Sequence, residues 1–334
     1  METKKALITG ITGQDGRLLT KLLLSKGYEV TGIVRKVVGR DNSVIPDGVE
    51  IIYADITDFH SLSRQLDIPG FIFDEVYHLA AQSDVAYSFE HPKETYDVNI
   101  GGTLNLLNAL NNPGRIYFAG TSELYGQPTT KPQNEEYPMR PRSPYAVSKL
   151  SGYWTCRNYR EAYRDYISCG ILFNHESEIR GPNFVTRKIS LSIARYLRDG
   201  TPFRLGNLDA RKDWGYAPDY VEGMWMMLQQ DEPGDYVLAT NEQHTVREFL
   251  NTALSVANID YYVFADGGDP VYMDSHGRPI VTVDWQLYRP SEADNYQGDY
   301  SKAERVMGWK PRTRFEDLVR IMVENDIRNV MGKE

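Results

Sequence analysis

Cysteine is nearly absent from the 334 residues: there are two, Cys156 and Cys169. Neither belongs to a Cys-x-x-Cys pair or a Cys/His spacing, so the sequence offers no disulfide framework and no zinc site, and both read as reduced packing residues. The six histidines are scattered, with no His-Glu-x-x-His run and no carboxylate cluster at ligand spacing, so no metal is expected. No apolar stretch approaches the ~20 residues that cross a bilayer. The N-terminus passes from Met1-Glu2-Thr3-Lys4-Lys5 into an apolar run too short for a secretion signal, and a soluble, cytoplasmic protein is expected. Positive charge is in deficit as well. Lys plus Arg number 37 against 46 Asp plus Glu, a net charge of -9, which opposes broad attraction to nucleic acid or an anionic membrane but leaves room for a local cationic pocket.

What is present is an ordered alternation. Apolar residues make up 41% of the chain, enough for a sizeable core, and at about 150 residues per domain the length fits two. Runs of strand composition at Lys5 to Thr9, Glu29 to Val34, Val49 to Ala54, Glu75 to Ala80 and Arg115 to Ala119 alternate with amphipathic segments, the mark of parallel β-α-β units. Leu18, Leu19, Leu22 and Leu23 fall at helical spacing, with Gly27 at the expected C-terminal cap. Ser143 to Tyr166 reads as a helix and Ile167 to Phe173 as the next strand. The fold expected is α/β: a doubly wound parallel (Rossmann) sheet over residues 1–172, then a smaller α/β lobe over 173–334. Segments near 212–240 are expected to return to the first domain. Within the second lobe the pattern predicts a helix from Thr186 to Arg198, a strand at Phe203 to Leu205, a helix at Pro218 to Gln229, a strand at Gly234 to Ala239 and a helix from Ser301. Gly267 to Thr282 reads as a surface loop.

Gly10-Ile11-Thr12-Gly13-Gln14-Asp15-Gly16 lies between the first strand and first helix, where glycines let the backbone approach a pyrophosphate at the positive helix end. The spacing is Gly-x-x-Gly-x-x-Gly, and a lone glycine turn is only a tight loop; the strand-turn-helix setting gives it weight. The second strand ends Val34-Arg35-Lys36. Two cations there suit the 2′-phosphate of NADP, whereas NAD sites carry an acid; the alternative is a solvated basic turn. Asp55, with Ile56 beside it, ends the third strand and suits the adenine amine, and Leu79-Ala80-Ala81 leaves little bulk where the fourth strand passes the cofactor.

Tyr145 and Lys149 are four apart on the expected helix and share a face. The pair is common in isolation. Here it follows a dinucleotide loop and Gly120-Thr121-Ser122-Glu123 at a carboxyl strand end, where such sheets bind ligands. A phenol starting near pKa ~10 needs a shift of about three units to act as a base at neutrality, more than an exposed ion pair supplies, so Lys149 must work in a desolvated site. Thr121 adds a hydroxyl for the same substrate oxygen. Glu123 adds a carboxylate that alcohol oxidation does not need, which points to a second proton transfer.

At these residues the chain resembles extended short-chain dehydrogenase/reductases that modify nucleotide sugars, most closely the GDP-mannose 4,6-dehydratases. The narrower motifs are Ile8 to Gly16, Ile171-Leu172-Phe173-Asn174-His175-Glu176-Ser177, Asn183 to Lys188, Leu205 to Ala210, Asp213-Trp214-Gly215 and Tyr288-Arg289-Pro290. The resemblance implies oxidation at carbon 4 of the sugar by NADP, loss of water across carbons 5 and 6, and return of the hydride to carbon 6. By the same resemblance Tyr145 is the base at carbon 4, Lys149 its electrostatic partner, Thr121 a hydrogen-bond donor and Glu123 the acid/base of elimination. It also implies substrate contacts from Ser83, Asn174, Glu176, Val185, Lys188, Gly206, Asn207, Arg289 and Glu292, with one diphosphate contact shared by Arg211 and Lys212, and a homo-oligomer, dimer or tetramer.

The chain departs from that pattern in places. Val37-Val38 replaces serines after Arg35-Lys36 in a shortened segment that in some relatives reaches a neighbouring subunit; Arg211-Lys212 reverses a basic pair; Glu178-Ile179 replaces Pro-Arg; and Asp84 replaces a histidine. The last two fall on the expected sugar side and leave a GDP-manno-heptose open beside GDP-mannose. A nucleotide-sugar 4-reductase, epimerase or decarboxylase is the nearest alternative chemistry, and an idle NADP-binding protein the alternative of another class.

Overall fold

A strand covered on both faces must be apolar along its length, and Lys5–Thr9 meets this requirement: every residue after Lys5 is buried. The computed structural model describes residues 3–36, 43–66, 72–111, 113–265, 269–288 and 295–332. Seven strands, β1 (Lys5–Thr9), β2 (Glu29–Val34), β3 (Val49–Tyr53), β4 (Glu75–His78), β5 (Arg115–Ala119), β6 (Ile167–Leu172) and β7 (Asp235–Leu238), form one parallel sheet in the order β7-β6-β5-β4-β1-β2-β3. The order reverses between β1 and β4, which opens a crevice at their carboxyl ends.

Helix α1 (Gln14–Ser25) follows β1 and stops at Gly27, whose φ of +81° is the left-handed conformation that ends helices. Helix α2 (Pro144–Tyr163) starts where Ser143 Oγ accepts from Ala146 N at 3.0 Å and Pro144 supplies a preset φ. Helix α3 (Val185–Asp199) opens the smaller lobe, and α4 (Ala217–Met227) packs back on the main sheet, burying Tyr220, Met224 and Met227 with Leu19 and Leu23 of α1. The smaller lobe has its own core, built on Ile189, Ile193, Trp214, Phe249, Phe315 and Val319.

Residues 267–282 are not a surface loop throughout. Val271–Asp274 and Pro279–Val283 pair antiparallel inside a four-stranded sheet that also holds Tyr261–Phe264 and Phe203–Leu205. Tyr272, Ile280 and Val281 are all buried, while Gly277, at φ +76°, makes the turn.

Candidate active site

The glycines of the first turn are there for space. At Gly10, with φ of +73°, a Cβ would lie 2.7 Å from Ala80 N, and at Gly16 it would lie 2.4 Å from Gly10 O. Gly13 precedes α1 without a capping side chain, so the first turn keeps its N–H groups for an anion. Beneath this turn Thr9 Oγ1 accepts from Leu79 N and Ala80 N at 3.2 and 3.1 Å, so its proton goes to His78 Nδ1, 2.8 Å away. His78 Nε2 then faces Thr103 Oγ1 at 3.0 Å. Burial holds this imidazole neutral, down to about 3, and the relay locks β1 to β4 under the crevice.

A cleft of about 520 Å³ runs along the carboxyl strand ends. Gly10, Thr12, Gly13, Gln14, Asp15, Gly16, Arg35, Asp55, Ile56, Leu79, Ala80 and Ala81 all line it, joined by Thr121, Glu123, Tyr145 and Lys149. Lys36 is outside this lining, and Val37 and Val38 lie outside the described residues.

Thr121 ends the turn after β5 and caps the short helix Ser122–Tyr125, its Oγ1 accepting from Glu123 N at 3.3 Å. Tyr145 and Lys149 project from the first turns of α2 and are 8% and 5% exposed. Burial pushes the Lys149 ammonium down to about 8. It also drives the Tyr145 phenol up to about 12, a hydrogen bond with Thr121 and the charge of Arg180 working against that rise. The lysine is desolvated, and Arg180 is the cation whose charge acts on the phenol.

Two residues of the cleft lining were not among the site residues expected from the sequence. His175 Nδ1 lies 2.7 Å from Phe173 O and Nε2 lies 2.9 Å from Asp15 Oδ2. Both partners only accept, so the ring carries two protons. Burial opposes the charges on both sides, but the pairing prevails, raising His175 and holding Asp15 at about 2. Arg180 lies over the Phe184 ring, 3.5 Å from its centroid, with Nε 3.1 Å from Glu176 Oε2. His175, Arg180 and Phe184 all line the cleft. His175 and Phe184 fall within the Asn174 to Ser177 and Asn183 to Lys188 motifs, Arg180 lies between them, and the contact of His175 with Asp15 spans 160 residues.

The expected substrate residues divide. Ser83, Asn174 and Lys212 line the cleft. Glu176 does not: it is buried, accepts from Thr186 Oγ1 at 2.6 Å and holds Arg180. Val185 and Lys188, on the first turn of α3, Gly206 and Asn207, after Phe203–Leu205, and exposed Arg211 also lie outside the lining. Arg289 and Glu292 are outside the described residues. The departures have local explanations. Asp84 Oδ1 caps the helix Val85–Glu90 through Ala86 N and Tyr87 N, and Glu178 accepts from Tyr216 Oη at 3.3 Å.

Residues 7–322 match the family model described as GDP-mannose 4,6 dehydratase. The chain is 48% identical to GDP-mannose 4,6 dehydratase 2 of Arabidopsis thaliana, the alignment covering 97% of this chain and 87% of the relative. Against the human GDP-mannose 4,6 dehydratase identity is 47%, over 96% of this chain and 91% of that protein. Among solved structures, the Thermus thermophilus UDP-glucose 4-epimerase in complex with NAD superposes with a TM-score of 0.80 at 25% identity, covering 96% of this chain and 98% of the epimerase. With a match over nearly its whole length, and with Thr121, Glu123, Tyr145 and Lys149 gathered in one cleft beside the glycine turn, this chain belongs to the GDP-mannose 4,6-dehydratase family.

Proposed function

We propose that the protein converts GDP-mannose to the GDP-4-keto-6-deoxy sugar, using NADP that is regenerated in each cycle. The observation that carries this reading is a carboxylate, Glu123, in the same cleft as the Tyr145, Lys149 and Thr121 set. That set suffices for oxidation, and only an elimination needs the further acid/base.

The glycine turn fits a dinucleotide: side chains at Gly10 and Gly16 would collide with the backbone of Ala80 and of Gly10 itself, so glycines alone let the turn close with its N–H groups at the helix end. Arg35 in the lining, followed by Lys36, supports NADP over NAD. When bound, the nicotinamide supplies a reversible acceptor for the carbon-4 hydrogen. Tyr145 takes the proton of the carbon-4 hydroxyl, whose oxygen Thr121 holds. A phenol at about 12 stands about five units above neutrality, roughly 7 kcal/mol at 1.36 per unit. Lys149 and Arg180 must therefore act on it in a closed, dry site. Glu123 then takes the proton from carbon 5, a double bond forms between carbons 5 and 6, and the hydroxyl at carbon 6 leaves with that proton as water.

Lys212 gives the cleft a cation for the diphosphate, and the first turn of α3, beyond Phe184, continues toward Lys188 for the nucleotide. In this reading residues 1–172, with the returning segment near 212–240, hold the cofactor, and the rest of 173–334 holds the GDP end. Glu178 is engaged within the protein, whereas Asp84 caps a helix through Oδ1 and also lines the cleft, so GDP-mannose and a GDP-manno-heptose both belong in the assay. Exposed Leu104, and Val147 and Trp154 on α2, support a homodimer. Among the described residues no helix is long and apolar enough to cross a membrane, in keeping with a cytoplasmic enzyme. Incubation with GDP-mannose and trace NADP, followed by mass spectrometry, tests the assignment: loss of one water without net NADPH is expected, and an unchanged sugar rejects it.

A further inference from the structure

Arg180 reaches the cleft from the turn that follows the strand Asn174–Glu176. The turn closes on itself: Arg180 N donates to Ser177 O at 3.0 Å and Ile179 N to Ser177 Oγ at 3.3 Å. Its backbone is also held from outside, by a second arginine. Arg187, on the first turn of α3, donates from Nη1 to the carbonyl oxygens of both Glu178 and Arg180, the latter at 3.2 Å. Its Nη2 lies 2.8 Å from Asp326 Oδ1. Asp326 comes from the helix Phe315–Met331, is completely buried, and accepts from Ser190 Oγ on its other oxygen at 2.6 Å.

A carboxylate without exposed surface needs a paired charge, and here one guanidinium supplies it. The guanidinium is a planar, rigid fork, so where Nη2 meets Asp326 sets where Nη1 meets the two carbonyls, and with them the backbone that carries Arg180. An apolar pair of similar volume would join the two helices as well or better, but it would leave the carbonyls of Glu178 and Arg180 without this donor. Neither Asp326 nor Arg187 lines the cleft, so both act on it only through the turn.

We infer that Asp326 and Arg187 are positioning residues for Arg180: they hold the turn 177–181 so that Arg180 stands in the cleft lined by Tyr145, Thr121 and Glu123. The effect on turnover rests on the dehydratase reading; the hold on the turn does not.

The test is Asp326→Asn, which keeps the size of the side chain and removes its charge. In hydrogen exchange of the full chain without ligand, read by mass spectrometry, the peptide spanning 177–184 should exchange about tenfold faster, the scale of one hydrogen bond to a charged group, while peptides holding the glycine turn and Lys149 keep their wild-type rates. Uniform acceleration, or no change over 177–184, overturns the inference. With GDP-mannose, kcat/KM should fall about tenfold in Asp326→Asn, and the same substitution should cost nothing further once Arg180→Ala is present. Equal losses in the two backgrounds would make Asp326 merely structural and overturn the inference. If Asp326→Asn does not fold, Ser190→Ala, which removes only the bond to Oδ2, takes its place in both measurements with about a threefold change expected, and wild-type behaviour there is the contrary result. If the wild type leaves GDP-mannose unchanged while 177–184 alone responds in exchange, the dehydratase reading has failed and the hold on the turn has not.

Discussion

Asp15, in the first turn of α1, and His175, in the strand Asn174–Glu176, meet at 2.9 Å. Gln14 strengthens the join, donating to His175 O at 3.1 Å and accepting from Ser177 Oγ at 2.8 Å. The glycine turn is thereby stitched to the strand that leads to Arg180, and the two parts of the cleft lining are held together.

His175→Gln should cut cofactor affinity roughly tenfold, the scale of one charge-assisted hydrogen bond, as read by calorimetric titration. The stability contribution of the pair has a defined window. Raised His175 contributes fully below its unfolded value and loses the contribution as pH climbs through the raised one; lowered Asp15 contributes above its unfolded value and loses it as pH falls toward about 2. The melting difference between wild type and variant should therefore be largest in mildly acidic buffer and shrink on either side.

Lys149 is charged at a cost. Its ammonium titrates at about 8 against an ordinary 10.5, because it is buried, so the unfolded chain binds more protons between those values and stability should rise with pH across that interval. Lys149→Met removes the penalty. At pH 7 the variant should be more stable, by up to about 3 kcal/mol, while kcat falls at least about 100-fold. Denaturant unfolding beside a turnover assay checks both, and a variant that is less stable and still active contradicts the assignment.

Tyr145→Phe and Glu123→Gln should separate the chemistry. The first is expected to abolish carbon-4 oxidation; the second should permit it and block water loss, each by about 10² to 10⁴-fold. Following the keto sugar and the released water separately distinguishes them.

Asp213 is buried and accepts from Thr240 N, Thr240 Oγ1, Asn241 N and Gly298 N at 2.8, 2.7, 3.1 and 3.0 Å. An amide would turn an N–H₂ toward some of those donors. Asp213→Asn should cost about 3 kcal/mol of stability and reduce turnover, because Asp213 ties the chain beside Lys212 to Thr240, Asn241 and Gly298. Wild-type melting in this variant would contradict that role.

Local signals were readable and distant ones were not. β1, β2 and β5 and the Phe203–Leu205 strand fall where their apolar runs end, because each is bounded by its own turn residues. Gly10, Tyr145 and Lys149 are motifs within one β-α unit or one helix. The hairpin over Val271–Asp274 and Pro279–Val283 was hidden by its glycines and prolines and by a register shift at Tyr272/Met273 that breaks the alternation. Glu176 looked like a ligand because it sits in a motif, and its partners Thr186 and Arg180 came only with the fold.

The central claim is a single active site in which oxidation and elimination share one sugar. Its most direct test is turnover of GDP-mannose deuterated at carbon 4, with trace NADP, read by mass spectrometry of the product. The account predicts a sugar lighter by one water that keeps its deuterium, now at carbon 6. Loss of the deuterium, or a product that retains all its oxygen, would contradict it.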